Sequence, residues 1–145
     1  MLRQLSLFLE NRPGQLRAPC EALARAGVDI LTMSLADTDR FGILRLVLRD
    51  PERGQRALEQ AGMVVNVTDV VPIEVDDGPG GLAEVLAALD EAQIGVEYMY
   101  PFTVAPRAGK AAIVFRFDDA ERALAEVKAR GLRVLEESEL LAKKM

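Results

Sequence analysis

Histidine is missing from the 145-residue sequence, and cysteine occurs once, as Cys20. Histidine is the most frequent general base and, with cysteine, a preferred ligand of transition metals, so two common kinds of catalytic centre have no residues to form them. A single cysteine cannot form an internal disulfide either. No clustered set of metal ligands, and no paired nucleophile and base, stands out elsewhere. We therefore expect a protein that is not an enzyme and has no metal and no cofactor.

Long apolar runs and basic blocks are also missing. No segment approaches the roughly 18 apolar residues of a membrane span, and the formal net charge is −5. A chain without a positive patch lacks the electrostatic footprint of binding to nucleic acid or to an anionic membrane. We expect a soluble cytoplasmic protein with neither of these partners, and the single cysteine agrees with a reducing compartment.

The sequence contains an internal duplication. One motif recurs at an offset of 66 residues, where Pro13-Gly14-Gln15-Leu16 matches Pro79-Gly80-Gly81-Leu82. A later set of positions recurs at an offset of 69: Leu44, Leu46, Leu48, Asp50 and Gly62 match Ile113, Phe115, Phe117, Asp119 and Gly131. Insertions collect in surface turns, so three added residues near Pro106 to Gly109 explain the change of offset. We predict two domains, residues 1–69 and 70–145.

Each repeat has the pattern strand, helix, strand, strand, helix, strand. In the first repeat, leucines alternate with polar residues as in a half-buried strand, and apolar residues then follow a helical spacing from Leu16 to Gly27. Two β-rich runs flank a turn at residues 37–40. The second helix begins at an Asp50 N-cap and ends at Gly62. Such βαββαβ units predict an α+β protein of two tandem ferredoxin-like domains, each an antiparallel sheet with its helices on one face.

Three segments are less regular. Pro19 lies inside the predicted first helix, where it should remove a hydrogen bond or bend the helix. Met63 to Val67 is predicted to form the fourth strand of the first repeat. The charged segment from Glu136 to Met145 has no assigned structure or role.

The sheet face opposite the helices is predicted to be a contact surface. In the third strand this face is half apolar, and Phe8 adds to it; its members are Ile43, Arg45, Val47 and Arg49. An apolar sheet face favours packing between the two repeats or between chains, which predicts a homodimer. The alternative is that these are ordinary scattered surface hydrophobes.

Two motifs resemble those of the ACT domain family, and the likeness covers nearly the whole chain. They are Leu9-Glu10-Asn11-Arg12-Pro13-Gly14-Gln15-Leu16 and Gly27-Val28-Asp29-Ile30. The resemblance implies a site for a free amino acid at an interface between domains, formed by Asn11, Arg12, Pro13, Gly14, Gln15, Leu16, Asp29 and Ile30. The family often has asparagine where this chain has Asp29, whose carboxylate could pair directly with an ammonium group.

The loop chemistry suits an amino acid without reference to the family. Backbone N–H groups at the start of the first helix favour a carboxylate. Asn11 can donate and accept hydrogen bonds, and Asp29 can accept from an ammonium group. The alternative is that Asn11 only forms a turn and that Pro13-Gly14 only brings the helix close to the sheet.

The second repeat offers a weaker copy of this site. Its residues are Asp77, Gly78, Pro79, Gly80, Gly81, Leu82 and Val96. Gly95 replaces the polar residue, and Asp76 with Asp77 would repel a carboxylate, so a purely structural role is favoured here.

The function that follows is sensing of a free amino acid at an interdomain interface, with modulation of a separate metabolic enzyme as the output. The alternative is a ligand-free adaptor subunit that stabilises a partner enzyme.

Overall fold

The computed structural model describes residues 1–37 and 40–144, with side chains of the last helix described through residue 142. The predicted turn at residues 37–40 therefore lies partly outside the described residues. The elements, in chain order, are β1 (Leu2–Glu10), α1 (Arg17–Arg25), β2 (Ile30–Asp37), β3 (Phe41–Leu48), α2 (Pro51–Gln60), β4 (Asn66–Asp76), α3 (Gly81–Glu91), β5 (Val96–Pro101), β6 (Lys110–Phe117), α4 (Ala120–Ala129) and α5 (Glu137–Lys144). They confirm the predicted α+β fold of two tandem ferredoxin-like units.

The chain divides into two compact units. One comprises residues 3–68, and the other comprises residues 1–2 and 69–145. We call them the first and the second unit. The predicted boundary between residues 69 and 70 stays a prediction, because β4 runs without a break through this part of the chain.

The first unit has the strand order β2-β3-β1, and both pairings are antiparallel. Alternate residues of β1 and β3 face α1 and α2, so leucines from the strands meet apolar residues from the helices in one core. Its buried members are Leu5, Leu7, Leu9, Ala22, Leu23, Val28, Leu44, Leu46, Leu48 and Leu58. Burying a leucine side chain contributes about 1.5–3 kcal/mol, so this cluster stabilises the unit and holds the ends of β1 and β3 in place.

The second unit repeats this plan with the strand order β4-β6-β5. Val71, Ile73 and Val75 of β4 alternate toward α3 and α4. Phe115 and Phe117 of β6 join the same core with their rings stacked at a centroid distance of 5.4 Å. The predicted alternation of both repeats is therefore confirmed, with aromatic rings in the second unit at positions that leucines occupy in the first.

Backbone conformation repeats at the predicted offsets. Gly14 and Gly80, 66 residues apart, have φ values of +88° and +86°. Gly62 and Gly131, 69 residues apart, have φ values of +87° and +79°. Only glycine adopts this left-handed conformation at little cost. The same local turns are therefore needed at matching points of both units, which supports the duplication.

Two expectations about the first unit need correction. Because α1 begins at Arg17, Pro19 is the third residue of the helix, in the first turn, where a backbone N–H has no partner within the helix. The proline therefore removes no helical hydrogen bond. The fourth strand begins at Asn66, not Met63, and continues to Asp76.

The carboxyl-terminal segment gains structure that the sequence pattern did not predict. Val134 forms a single bridge with Ile73 in place of a full last strand. The segment that follows, which had no assignment, forms α5, and Leu135 and Leu140 are buried. These contacts make the segment part of the second unit.

The sheet face opposite the helices is partly covered in the first unit. Val47 is buried, Ile43, Arg45 and Arg49 are partly exposed, and Phe8 is 67% exposed. Phe8 is therefore a large apolar side chain in solvent on that face.

Candidate functional site

A cavity of about 280 Å³ lies at one end of the first unit's sheet. It is formed where β1 ends, β2 ends, β3 begins and the chain turns into α1. Its lining residues are Leu9, Glu10, Asn11, Arg12, Leu16, Leu35, Asp37 and Gly42. Ligand pockets usually measure about 300–1,000 Å³, so this one suits a small metabolite and not a nucleotide.

The strand register forms the floor of the cavity. Gly42 pairs with Leu9 on one side and with Asp37 on the other, so these three residues lie side by side and share one sheet face. A Cβ atom on Gly42 would lie 3.0 Å from Cδ1 of Leu35. The absence of a side chain at Gly42 therefore leaves the space beneath Leu35 open.

The loop between β1 and α1 forms the rim. The backbone N–H of Asn11 donates to the carbonyl of Arg40 at 2.9 Å, and that of Gln15 donates to the carbonyl of Arg12 at 3.3 Å. Leu16 is the N-cap of α1, and no side chain caps this helix. The partial positive charge of the helix N-terminus therefore lies beside the cavity without a side-chain acceptor.

Charged groups surround the apolar part of the cavity. Nε of Arg12 lies 3.0 Å from Oε2 of Glu10, and both side chains are more than half exposed. Asp37 adds a second carboxylate at the end of β2 and is exposed. Leu9, Leu16 and Leu35 supply the apolar lining. The cavity can thus offer a cation, two anions and a hydrophobic wall to one ligand.

Three of the predicted site residues line the cavity: Asn11, Arg12 and Leu16. Pro13, Gly14 and Gln15 belong to the same loop, although they are not among its lining residues. The predicted contribution of this loop stays a prediction, and the cavity shows how its residues could act together.

Asp29 and Ile30 lie elsewhere in the first unit. Ile30 pairs with Leu48 at the start of β2, whereas Asp37 pairs with Gly42 at its end. Seven residue steps along a strand span roughly 23 Å. The carboxylate of Asp29 lies 3.6 Å from Nε of Arg49. One unit alone therefore does not bring Asp29 to the cavity.

The sequence pattern did not single out the lining residues Leu35, Asp37 and Gly42. The alternation of apolar and polar residues predicted only that Leu35 lies in a strand. In the structure that strand, β2, is at the edge of the sheet, and Leu35 is 51% exposed. Its position beside the loop depends on the pairing of β2 with β3. The sequence predicted the two strands and their connection, but not which of their residues would lie beside the loop between β1 and α1.

The second unit arranges its matching loop differently. A Cβ atom on Gly81 would lie 2.0 Å from the backbone oxygen of Asp76, so α3 begins in direct contact with the end of β4. The N–H of Asp77 donates to the carbonyl of Gly109 at 3.0 Å. The ammonium of Lys110 donates to the carboxylate of Asp76, which lowers the pKa of that carboxyl. These contacts join the loop to the strands β4 and β6.

The other predicted residues of the weaker site lie just before α3, in α3 or in β5. Gly80 is the left-handed N-cap of α3, and Gly78 and Pro79 are exposed. Leu82 and Val96 pack against the core of the second unit. Leu82 and Val96 thus have a packing role, and the weaker site stays a prediction.

A charged cluster in the second unit had no sequence signal. The side chain of Glu74 is only 4% exposed and accepts hydrogen bonds from Arg107, at 2.6 Å from Nη2, and from Arg133, at 2.8 Å. Arg133 also pairs with Glu139 of α5. The hydrogen bond from Arg107 lowers the pKa of Glu74, burial opposes this effect, and the two positive charges add to the lowering. The cluster ties β4 to α5 and to the segment before β6.

Two searches of the described part of the chain, for clustered metal-binding side chains and for membrane-spanning helices, found neither. Within residues 1–37 and 40–144, no three His, Cys, Asp or Glu side chains are grouped to hold a metal ion. No described helix is both long and apolar enough to cross a bilayer. Cys20 is free and partly exposed.

Comparisons with known proteins identify the family. A family model described as an ACT domain pair matches residues 1–144. The chain therefore belongs to the ACT domain pair family, and the resemblance found in its motifs is confirmed. A search of curated protein sequences gave no match.

Solved structures agree with this assignment. Protein BT0572 from Bacteroides thetaiotaomicron is 34% identical, with a TM-score of 0.87 over 96% of this chain and 94% of its own. The regulatory subunit of aspartate kinase from Thermus thermophilus is 16% identical, with a TM-score of 0.65 over 88% of each chain. The corresponding subunit from Thermus flavus is 19% identical, with a TM-score of 0.63 over 89% of this chain and 91% of its own. The two Thermus proteins share the fold.

Proposed function

We propose that the first unit binds a free amino acid in the cavity beside the Asn11 loop and that the chain is a non-catalytic, cytoplasmic regulatory protein. The observation that carries this proposal is the lining of the cavity, which joins one cation, two anions, an amide and three leucines around a space of about 280 Å³. A zwitterion with a side chain needs complementary groups of each of these kinds.

The polar ends of the ligand have separate partners. The carboxylate binds toward the N-terminus of α1 and the guanidinium of Arg12, since both favour an anion. The ammonium binds toward Asp37. Asn11, at the centre of the rim, can hydrogen-bond to either end because its amide both donates and accepts.

The second unit has a supporting role in this proposal. Its loop is held by Gly109 and by the close contact of Gly81 with Asp76. We expect one ligand site per chain, in the first unit.

Asp29 enters this proposal through a second copy of the chain. It precedes β2, whose end residues Ile30 and Asp37 lie roughly 23 Å apart, so only the Asp29 of a second copy can reach the ligand in the cavity. A homodimer that shares the site would bind more weakly after Asp29→Ala. A site complete within one unit would bind the amino acid with unchanged affinity after this substitution.

The regulated partner is proposed to be an enzyme of amino-acid metabolism. The two Thermus proteins of the same fold are named as regulatory subunits of aspartate kinase. This chain has the same tandem architecture, and an effect on a partner requires that the ligand favour one arrangement of the protein over another.

A thermal-melt screen against the common amino acids tests the proposal. Ligand at about 100 times its dissociation constant stabilises by roughly 2.7 kcal/mol, which raises the Tm by several degrees. We expect selective shifts that Asn11→Ala abolishes and that Asp77→Ala, in the matching loop of the second unit, leaves intact. No shift at millimolar concentrations, or loss in Asp77→Ala only, would contradict it.

One observation favours the adaptor as a second candidate function. Phe8 is 67% exposed on the sheet face opposite the helices, and such an aromatic side chain suits a protein contact. An adaptor would show no amino-acid response and would lose partner binding in Phe8→Ser, whereas a sensor would keep its ligand response in that variant.

A further inference from the structure

We infer that the cavity of the first unit selects amino acids with an aliphatic side chain, namely leucine, isoleucine, valine or methionine. The inference rests on the proposed function and names its ligand class. It is argued from the division of the cavity lining into a charged rim and an apolar floor.

The apolar part is built by three leucines from different elements. Leu9 comes from the end of β1, Leu16 from the start of α1 and Leu35 from the sheet-edge strand β2. Leu16 and Leu35 are 40% and 51% exposed, whereas Leu9 is buried. Leu35 pairs with Leu44 in the register of β2 and β3, so it lies on the core-facing side of the sheet. An aliphatic group placed between these leucines would remove apolar surface from water on both partners.

Charge balance excludes an ionic side chain. Nε of Arg12 lies 3.0 Å from Oε2 of Glu10, and Arg12 also faces the carboxylate of the ligand, so Asp37 is the one charged side chain without an ion pair among the lining residues that the structure describes. The ammonium of the ligand neutralises Asp37. Among the described lining residues, a lysine or arginine side chain would find no carboxylate besides Asp37 and the paired Glu10, and a glutamate side chain would lie near both of these like charges.

Gly42 sets the depth of the floor. A Cβ atom at this position would lie 3.0 Å from Cδ1 of Leu35, closer than ordinary van der Waals contact. Because Leu35 is half exposed, it can rotate away from an added methyl group, so Gly42→Ala should fold and narrow the cavity. A large aliphatic ligand would then lose space that alanine or glycine does not use.

Calorimetric titration of the purified full chain tests the inference. The ligands are leucine, isoleucine, valine, methionine, alanine, phenylalanine, asparagine, lysine and glutamate. We expect one of the first four to bind tightest, at least about tenfold better than alanine, because a few methylene groups give discrimination of this size. Leu35→Ala should weaken the tightest ligand about tenfold and change alanine binding less than twofold. Gly42→Ala should also weaken the larger ligand more.

Matched variants make the result specific. Val64→Ala changes an aliphatic side chain that is 82% exposed and outside the cavity lining, and it should leave every affinity unchanged. Leu16→Ala repeats the test from another wall, and circular dichroism melts establish that each variant is folded.

The outcomes separate the inference from the proposed function. A polar, charged or aromatic amino acid that binds tightest, and needs Asn11, would overturn the aliphatic selectivity and leave the sensor intact. Equal weakening of all ligands by Leu35→Ala would also overturn the selectivity. No binding of any amino acid at millimolar concentration would overturn both.

Discussion

Asp50 and Asp119, 69 residues apart, cap the second helices of the two units in the same way. The carboxylate of each accepts a hydrogen bond from the backbone N–H three residues later, Arg53 and Arg122 respectively, at 3.2 Å in both cases. The second helix of each unit therefore begins with the same polar contact. Sequence duplication thus preserves the local interaction as well as the fold.

This relationship predicts equal costs in the two units. Asp50→Ala and Asp119→Ala should each lower the free energy of unfolding by about 1 kcal/mol, since the cap acceptor is lost. Urea denaturation followed by circular dichroism measures the change. Asparagine keeps the acceptor, so Asp50→Asn and Asp119→Asn should retain most of the stability; a loss equal to that of alanine would contradict the role of the cap.

Gly54 in α2 predicts an unusual helix substitution. Alanine normally stabilises a helix relative to glycine, but a Cβ atom here would lie 2.3 Å from Cδ1 of buried Leu48 and 3.3 Å from Cδ2 of Leu23. Gly54→Ala should therefore lower the free energy of unfolding by about 1–3 kcal/mol. Exposed Glu59→Ala in the same helix is the control. If urea denaturation shows that Gly54→Ala stabilises the protein, then Leu48 and Leu23 can move away from the added methyl group at little cost.

Gly81 and Gln15 occupy matching positions of the duplication, but alanine should lower stability strongly at Gly81 and little at Gln15. Gly81→Ala would place a Cβ atom 2.0 Å from the backbone oxygen of Asp76, and this oxygen cannot rotate away. We expect a loss of about 3 kcal/mol in thermal or urea unfolding. Gln15→Ala should change stability little, because Gln15 already carries a side chain and is partly exposed. Equal effects would contradict the asymmetry of the two loops.

Glu74 predicts a pH dependence of stability. Its pKa in the folded protein is held below the ordinary value of 4.5, chiefly by the hydrogen bond from Arg107. The contribution of Glu74 to stability is therefore complete above about pH 4.5 and is lost as the pH falls through the lowered pKa.

Glu74→Gln removes this titration. Urea midpoints measured from pH 7 to pH 3 should fall less steeply below pH 4.5 in this variant than in the natural chain. Exposed Glu59→Gln is the control and should keep the natural slope. Identical slopes of the urea midpoint against pH for Glu74→Gln and the natural chain would show that the two arginines do not lower the pKa of Glu74.

Local patterns in the sequence predicted most of the fold. The alternation of Leu44, Leu46 and Leu48, the Asp50 cap and the left-handed Gly62 each depend on neighbours within a few residues, so each has a sequence signal. The position of Pro19 in the first turn could not be predicted, because it depends on the residue at which α1 begins. Helix ends are uncertain by one or two residues. The helix α5 had no strong apolar periodicity.

The candidate site was predictable only in part. The loop residues Asn11, Arg12 and Leu16 were found because they form a contiguous motif. Leu35 and Gly42 join them through the pairing of β2 with β3, and the two ends of β2 are separated by its full length. Sequence proximity therefore could not show that Asp37 lies beside the loop while Asp29 does not.

Chemical-shift mapping of backbone amides would show whether an amino acid binds in the cavity of the first unit. The isotope-labelled full chain is titrated with the amino acid that raises the Tm most. We expect the largest shifts on the cavity lining, at Asn11, Arg12, Leu35, Asp37 and Gly42, with residues 77–82 unchanged. Shifts centred on residues 77–82, or no shifts at millimolar amino acid, would contradict this expectation.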